Sequence, residues 1–143
     1  MRRLLLSLAV GISALFAAPV ALADGGPVFV TQGGTGTMSH QGLHYVAVPD
    51  GAGGTLLETV DVADGGVFGW ARLTGLWGTP MIGYSIGEGL SRDGRTLVLG
   101  STAGPYASPS KFLVVDARRL KAIRTIRLDG AFSFDALSPD GFW

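Results

Sequence analysis

Few residues of this chain have the type and spacing for chemistry. His40 and His44 are its only histidines. Four apart, they would share one face of a helix, but the segment reads as a hairpin and they flank its turn. No sulfur ligand accompanies them, and the nearest carboxylate, Asp50, is a strand away. A stable metal site needs about three or four converging ligands, so none is expected. Ser39, Ser91 and Ser138 recur without a Gly-x-Ser-x-Gly nucleophile elbow around any of them, and they read as structural positions. Gly33-Gly34-Thr35-Gly36 lacks the lysine and following helix of a phosphate loop. Asp61, Asp116 and Asp135 fall near strand ends, where aspartate accepts hydrogen bonds from turn backbone. No catalytic set is identified and no cofactor is expected. Arg118, Arg119, Lys121, Arg124 and Arg127 form the one charge cluster. It could hold an acidic partner; the better reading is a solvated outermost strand whose charges block sheet-to-sheet pairing. What remains are aromatics. Trp77, Tyr84 and Tyr106 sit in the segments 75–87 and 101–110, which read as the two long loops. Aromatics on long loops of a rigid β-scaffold are where binding is expected. The alternative for Trp77 is that it closes a sheet end.

The elements that must position these residues come from a repeat. Met38-Ser39-His40-Gln41-Gly42, Leu90-Ser91-Arg92-Asp93-Gly94 and Leu137-Ser138-Pro139-Asp140-Gly141 share one pattern, with Ser-to-Ser spacings of 52 and 47. A period of that size marks stacked β-units. Short runs rich in β-branched and aromatic residues predict strands at 28–31, 43–48, 55–61 and 67–73, then at 95–99, 112–116 and 122–128. In the fourth of these, period-two alternation puts Phe68, Trp70 and Arg72 on one face. Glu58 through Gly75 and Leu113 through Gly130 are both 18 residues, each opening on a β-run ending Val-Asp and closing on a short turn to glycine. The Asp-Gly pairs suit tight turns because glycine takes positive φ without a Cβ clash. Gln41 replaces the aspartate in the first copy, so that turn is expected to be less well specified. Parity of the strands puts the pattern turns and the turn at 117–121 at one end, and the two long segments at the other.

The start of the chain reads as a targeting segment. Met1-Arg2-Arg3 is cationic, residues 4–16 are apolar, and Ala21-Leu22-Ala23 is a small-x-small ending. Together these make a cleavable secretory signal over 1–23, with export to a periplasmic or extracellular space. A membrane anchor is the alternative, since residues 4–23 are just long enough to span; Pro19 and the Ala-x-Ala ending favour cleavage, leaving no stable anchor. The absence of cysteine excludes disulfides. Residues 24–143 carry 9 basic and 11 acidic side chains, which gives no electrostatic reason to expect nucleic acid.

Phe112-Leu113-Val114-Val115-Asp116, Ile123-Arg124-Thr125-Ile126-Arg127-Leu128 and Ala136-Leu137-Ser138-Pro139-Asp140-Gly141 resemble the YVTN-type and related WD40-like β-propeller repeats of exported bacterial proteins. The resemblance covers residues from about Gly33 onward and is clearest in the second unit. It implies an all-β fold, a partial β-propeller over 24–143. That is about two four-stranded antiparallel blades (34–75 and 76–130), the start of a third (131–143), and one N-terminal clasp-like strand. A propeller ring takes about four to eight blades, so the chain is expected to be a piece of a longer protein. Its open end faces are expected to make it aggregate or be degraded when isolated. The fold specifies no activity. The expected function is a non-enzymatic binding or scaffold module that takes a protein or glycan through the long-loop face. The alternative is the N-terminal part of a propeller enzyme, lactonase-like or quinoprotein-like, with catalytic residues from later blades.

Overall fold

A computed structural model describes residues 29–33, 36–39, 41–82, 86–104 and 106–138. The leader assigned to 1–23, His40, Tyr84 and the end of the third pattern copy lie outside them. All regular structure among the described residues is β. The strands are β1 (Phe29–Thr31), β2 (Thr37–Met38), β3 (Leu43–Pro49), β4 (Gly54–Asp61), β5 (Val67–Thr74), β6 (Trp77–Ile82), β7 (Ile86–Gly87), β8 (Thr96–Ser101), β9 (Ser110–Asp116) and β10 (Lys121–Leu128). Hydrogen-bonded neighbours follow the path β10-β9-β8-β6-β7-β2-β3-β4-β5, with β1 on β6. Pairing is antiparallel apart from one parallel contact, Thr37 with Gly87. The path is open at β5 and β10.

It divides into two antiparallel meanders. The first unit is β2-β3-β4-β5 and the second is β6-β8-β9-β10. In the first, burial alternates as the sequence does. Tyr45 and Ala47 on β3, and Thr55, Leu57 and Thr59 on β4, are buried, while Val46, Val48, Leu56, Glu58 and Val60 between them are partly open. In β8 and β9 the alternation is lost: Leu97, Val98, Leu99 and Gly100 are all buried, as are Leu113, Val114 and Val115. A strand covered on both faces has no polar side to present and reads as a continuous apolar run. One cover is the first unit. Tyr45, Leu57 and Leu73 form a single core cluster with Trp77, Leu97, Leu99, Leu113 and Val115. The other is the segment 131–138, whose Phe134 packs on Val98 and Val114.

The repeat is written in the hydrogen bonds. Thr55 Oγ1 donates to the Gly75 carbonyl (2.8 Å) and accepts from the Trp77 amide (2.8 Å). Ser110 Oγ donates to the Gly130 carbonyl (2.9 Å) and accepts from the Phe132 amide (2.6 Å), at the same sequence separations. Both units carry a β-bulge at the same place. It falls where Val60 pairs Val67 but Thr59 pairs Gly69, and again where Val115 pairs Ala122 but Val114 pairs Arg124. The pattern turns differ by one residue. The Ser39 amide bonds the Leu43 carbonyl, whereas the Ser91 amide bonds that of Thr96. Tyr45 is therefore equivalent to Val98, not to Leu97. Tyr45 faces the shared core and Val98 faces away from it. Equivalent residues thus point the same way along the stack, and the second unit presents outward the kind of face with which the first unit holds it.

Two expectations need correction. The described residues of 75–87 are mostly strand, β6 and β7, not loop. Trp77 and Gly78 pair with Ser101 and Gly100 of β8, then Met81 and Ile82 pair antiparallel with Gly87 and Ile86, and Leu90 returns to pair with Leu97. The strand that borders β8 on the side away from β9 is thus interrupted by an excursion, which glycines and a proline in the sequence disguised as a loop. The leading strand pairs with β6, Phe29 to Met81 through Thr31 to Thr79. Val30 seats over Gly78 and Gly100, where any Cβ would collide with it. Lastly, the bulge removes Phe68 from the alternation, so it does not share a face with Trp70 and Arg72.

Candidate functional site

At the pattern-turn end, a cleft of about 440 Å³ opens between the two units. The turns that frame it are built by side-chain caps. Ser39 Oγ accepts from the Leu43 amide (3.1 Å) and Ser91 Oγ from the Thr96 amide (2.9 Å). Asp93 takes the Ser91 hydroxyl (2.7 Å) and the Arg95 amide (3.0 Å), and these hold its carboxyl below the usual range. Gln41 has no such carboxylate, and the first turn is closed by Ser39 alone, with the Gln41 amide on Ser39 Oγ at 3.3 Å. On the facing turn, Asp116 accepts the backbone amides of Arg119 and Arg118 and the Arg119 guanidinium (2.8 Å), and its carboxyl is likewise lowered. Ser39, Ser91, Asp61 and Asp116 are therefore turn architecture.

Into this frame come groups suited to recognition. Tyr45 forms part of the wall, 5% exposed, and burial pushes its phenol up, opposed by the nearby Arg118 guanidinium. Arg118 and Arg92 are exposed on two different turns and both border the cleft. Leu120, at φ +52°, sits where the first unit has Gly65 at φ +73°, and it packs against the shared core. Phe68 stands at the mouth, 80% exposed. The extra residue of a bulge is re-aimed relative to its neighbours, and here the re-aimed residue is a phenylalanine beside a cleft. The sequence signal was Gly69 inside a strand, which marks a bulge or a close approach.

Of the residues expected to bind, Trp77 and Tyr106 are described. Trp77 lies within β6, 7% exposed, with its indole Nε1 donating to the Thr74 carbonyl (2.7 Å). Its position is that of a sheet-end plug, because the shared core offers more apolar contact than the loop would. Tyr106 is exposed on 101–110, and the Thr102 amide ties that loop to the Leu76 carbonyl (3.2 Å). Tyr84 lies outside the described residues. Of the cationic cluster, Arg124 and Arg127 lie on β10, an edge strand, and are exposed. Among the described residues no group of three or more His, Asp or Glu converges as a metal site would require, and no helix is long and apolar enough to cross a membrane.

Compared with known proteins, the chain matches no family model, no curated protein and no solved structure.

Proposed function

We propose that this chain is an exported, non-enzymatic binding module of β-propeller type, and that its ligand enters the cleft between the two units. One observation carries the binding reading: Phe68, held almost fully in solvent at the cleft mouth by a bulge. A ring in that position costs free energy in the free protein, and it recovers that cost by covering a ligand. The surroundings select the ligand class. An aromatic face suits the C–H face of a sugar, two guanidiniums suit a carboxylate, and Ser39 and Gln41 offer neutral polar contacts. An acidic saccharide combines these features. The matched anchors at Thr55 and Ser110, with the paired bulges, support the stacked-unit part of the reading. The cationic, apolar and small-x-small succession over 1–23 supports export.

The test is calorimetric titration with uronic-acid oligosaccharides, using neutral oligosaccharides of the same length as control. The acidic series should bind and the neutral series should not. Phe68→Ala and Arg118→Ala should each weaken binding roughly tenfold, the effect of losing about 1.4 kcal/mol. Tyr106→Ala should leave it unchanged. No heat with either series, or sensitivity to Tyr106→Ala alone, would remove the cleft from consideration.

A further inference from the structure

The two end faces of the stack differ in kind. The first unit's outer face carries Val46, Val48, Leu56, Val60 and Trp70, with Trp70 66% exposed. The second unit's outer face carries Val98, Phe112, Val114 and Ile126; Phe134 covers Val98 and Val114, and beside it an apolar groove of about 510 Å³ stays open between β10 and residues 133–136. The repeat equivalence relates both to the contact that already exists inside the chain. Val46 and Val60 correspond to Leu99 and Val115, which the second unit turns toward the first. Val98, Val114 and Ile126 correspond to Tyr45, Thr59 and Ala71, on the side the first unit turns toward the second. The two outer faces are thus the two halves of one interface, displaced to opposite ends of the molecule, the second of them open at the groove beside Phe134. Their charges also complement. Glu58 lies between Val46 and Trp70 on one face, and Arg124 borders the groove on the other.

We infer that a second copy of this chain docks head to tail, the first unit's outer face of one copy on the second unit's outer face of the next, with Trp70 in the groove and Glu58 toward Arg124. The contact is heterologous, so it propagates into a ring or an open chain of copies rather than stopping at a symmetric dimer. This rests on the stacked-unit part of the proposed function and is independent of any ligand.

The experiment is sedimentation velocity on the full chain across a concentration series, with two single-face variants, Trp70→Lys and Leu128→Lys. Both positions are at least partly exposed, and circular dichroism checks that each variant keeps its β-structure. The wild type should associate beyond a dimer as concentration rises. Each variant alone should be monomeric. An equimolar mixture of the two should form a one-to-one complex, because each contributes the face the other has lost. Association of Leu128→Lys alone would show that two first-unit faces pair with each other and would overturn the head-to-tail contact. So would a wild type that stays monomeric with native β-structure, a result that leaves the stacked-unit fold standing. Should a lysine variant unfold, Glu58→Arg and Arg124→Glu replace the pair. Weak association of each alone and recovery in the mixture is the expected outcome, and no recovery overturns the contact.

Discussion

Thr55 and Ser110 show how one hydroxyl fixes a unit boundary. Each holds a glycine carbonyl and an amide two residues further on, tying the end of a meander to the segment that follows it. Thr55 is fully buried, so Thr55→Val keeps the shape but strands the Trp77 amide and the Gly75 carbonyl. It should cost about 1–3 kcal/mol, read as a drop in thermal midpoint. Thr79 makes the contrast. Its buried Oγ1 has no hydrogen-bond partner among the described residues, so Thr79→Val should be neutral or stabilising in the same measurement. The turn carboxylates set the acid response. Asp50 is lowered by the Ala52 and Gly54 amides and then by Arg72, and Asp93 and Asp116 are lowered by their own turns. Between these depressed values and the ordinary aspartate pKa of about 3.9, the unfolded chain binds more protons than the folded one. Their contribution is therefore complete above the ordinary value and disappears as pH falls through the folded values. Urea midpoints should decline below about pH 4, and less steeply in Asp50→Asn, which has no proton to gain.

At the scale of elements, turns and bulges rather than strands carry the distinctive features. Leu120 holds a left-handed conformation that its counterpart meets with glycine, in return for packing on the shared core. A non-glycine residue there bears a strain of about 1–2 kcal/mol. Leu120→Ala loses the packing and keeps the strain, while Leu120→Gly loses the packing and sheds it. Chemical denaturation should therefore rank the glycine variant above the alanine variant by about 1 kcal/mol, opposite to their usual order within a strand. Equal stability would mean that the left-handed φ carries no strain. Both strands at each hairpin were legible from their apolar runs to within a residue or two, because β-branched residues flanked by Gly and Asp admit little else. The excursion at 80–88 was not, since two short strands meeting Pro80, Gly83 and Gly87 have a loop's composition. The paired bulges were hidden for another reason: a bulge is a property of the pairing, and only Gly69 hinted at it.

Over the whole molecule, the two units stand or fall together. Leu57 and Leu99 come from different units and are both fully buried in one cluster. Leu99→Ala should cost about 2–5 kcal/mol. It should also lower protection against hydrogen exchange in β4 as much as in β9, since neither unit keeps a closed core without the other. A loss confined to β9 would show two independently stable units. The sequence by itself determined the repeat, its punctuation by Ser-x-x-Gly turns, and the all-β class, because strand periodicity and positive-φ glycines are local properties of the chain. Only the tertiary structure decided which face of each strand is inside. A one-residue difference between the Ser39 and Ser91 turns moves every following side chain to the opposite side. The β4–β5 bulge placed Phe68 at a cleft mouth, and packing of β6 on the shared core took in Trp77. Both outcomes depend on what a strand packs against, and that is not written in the strand.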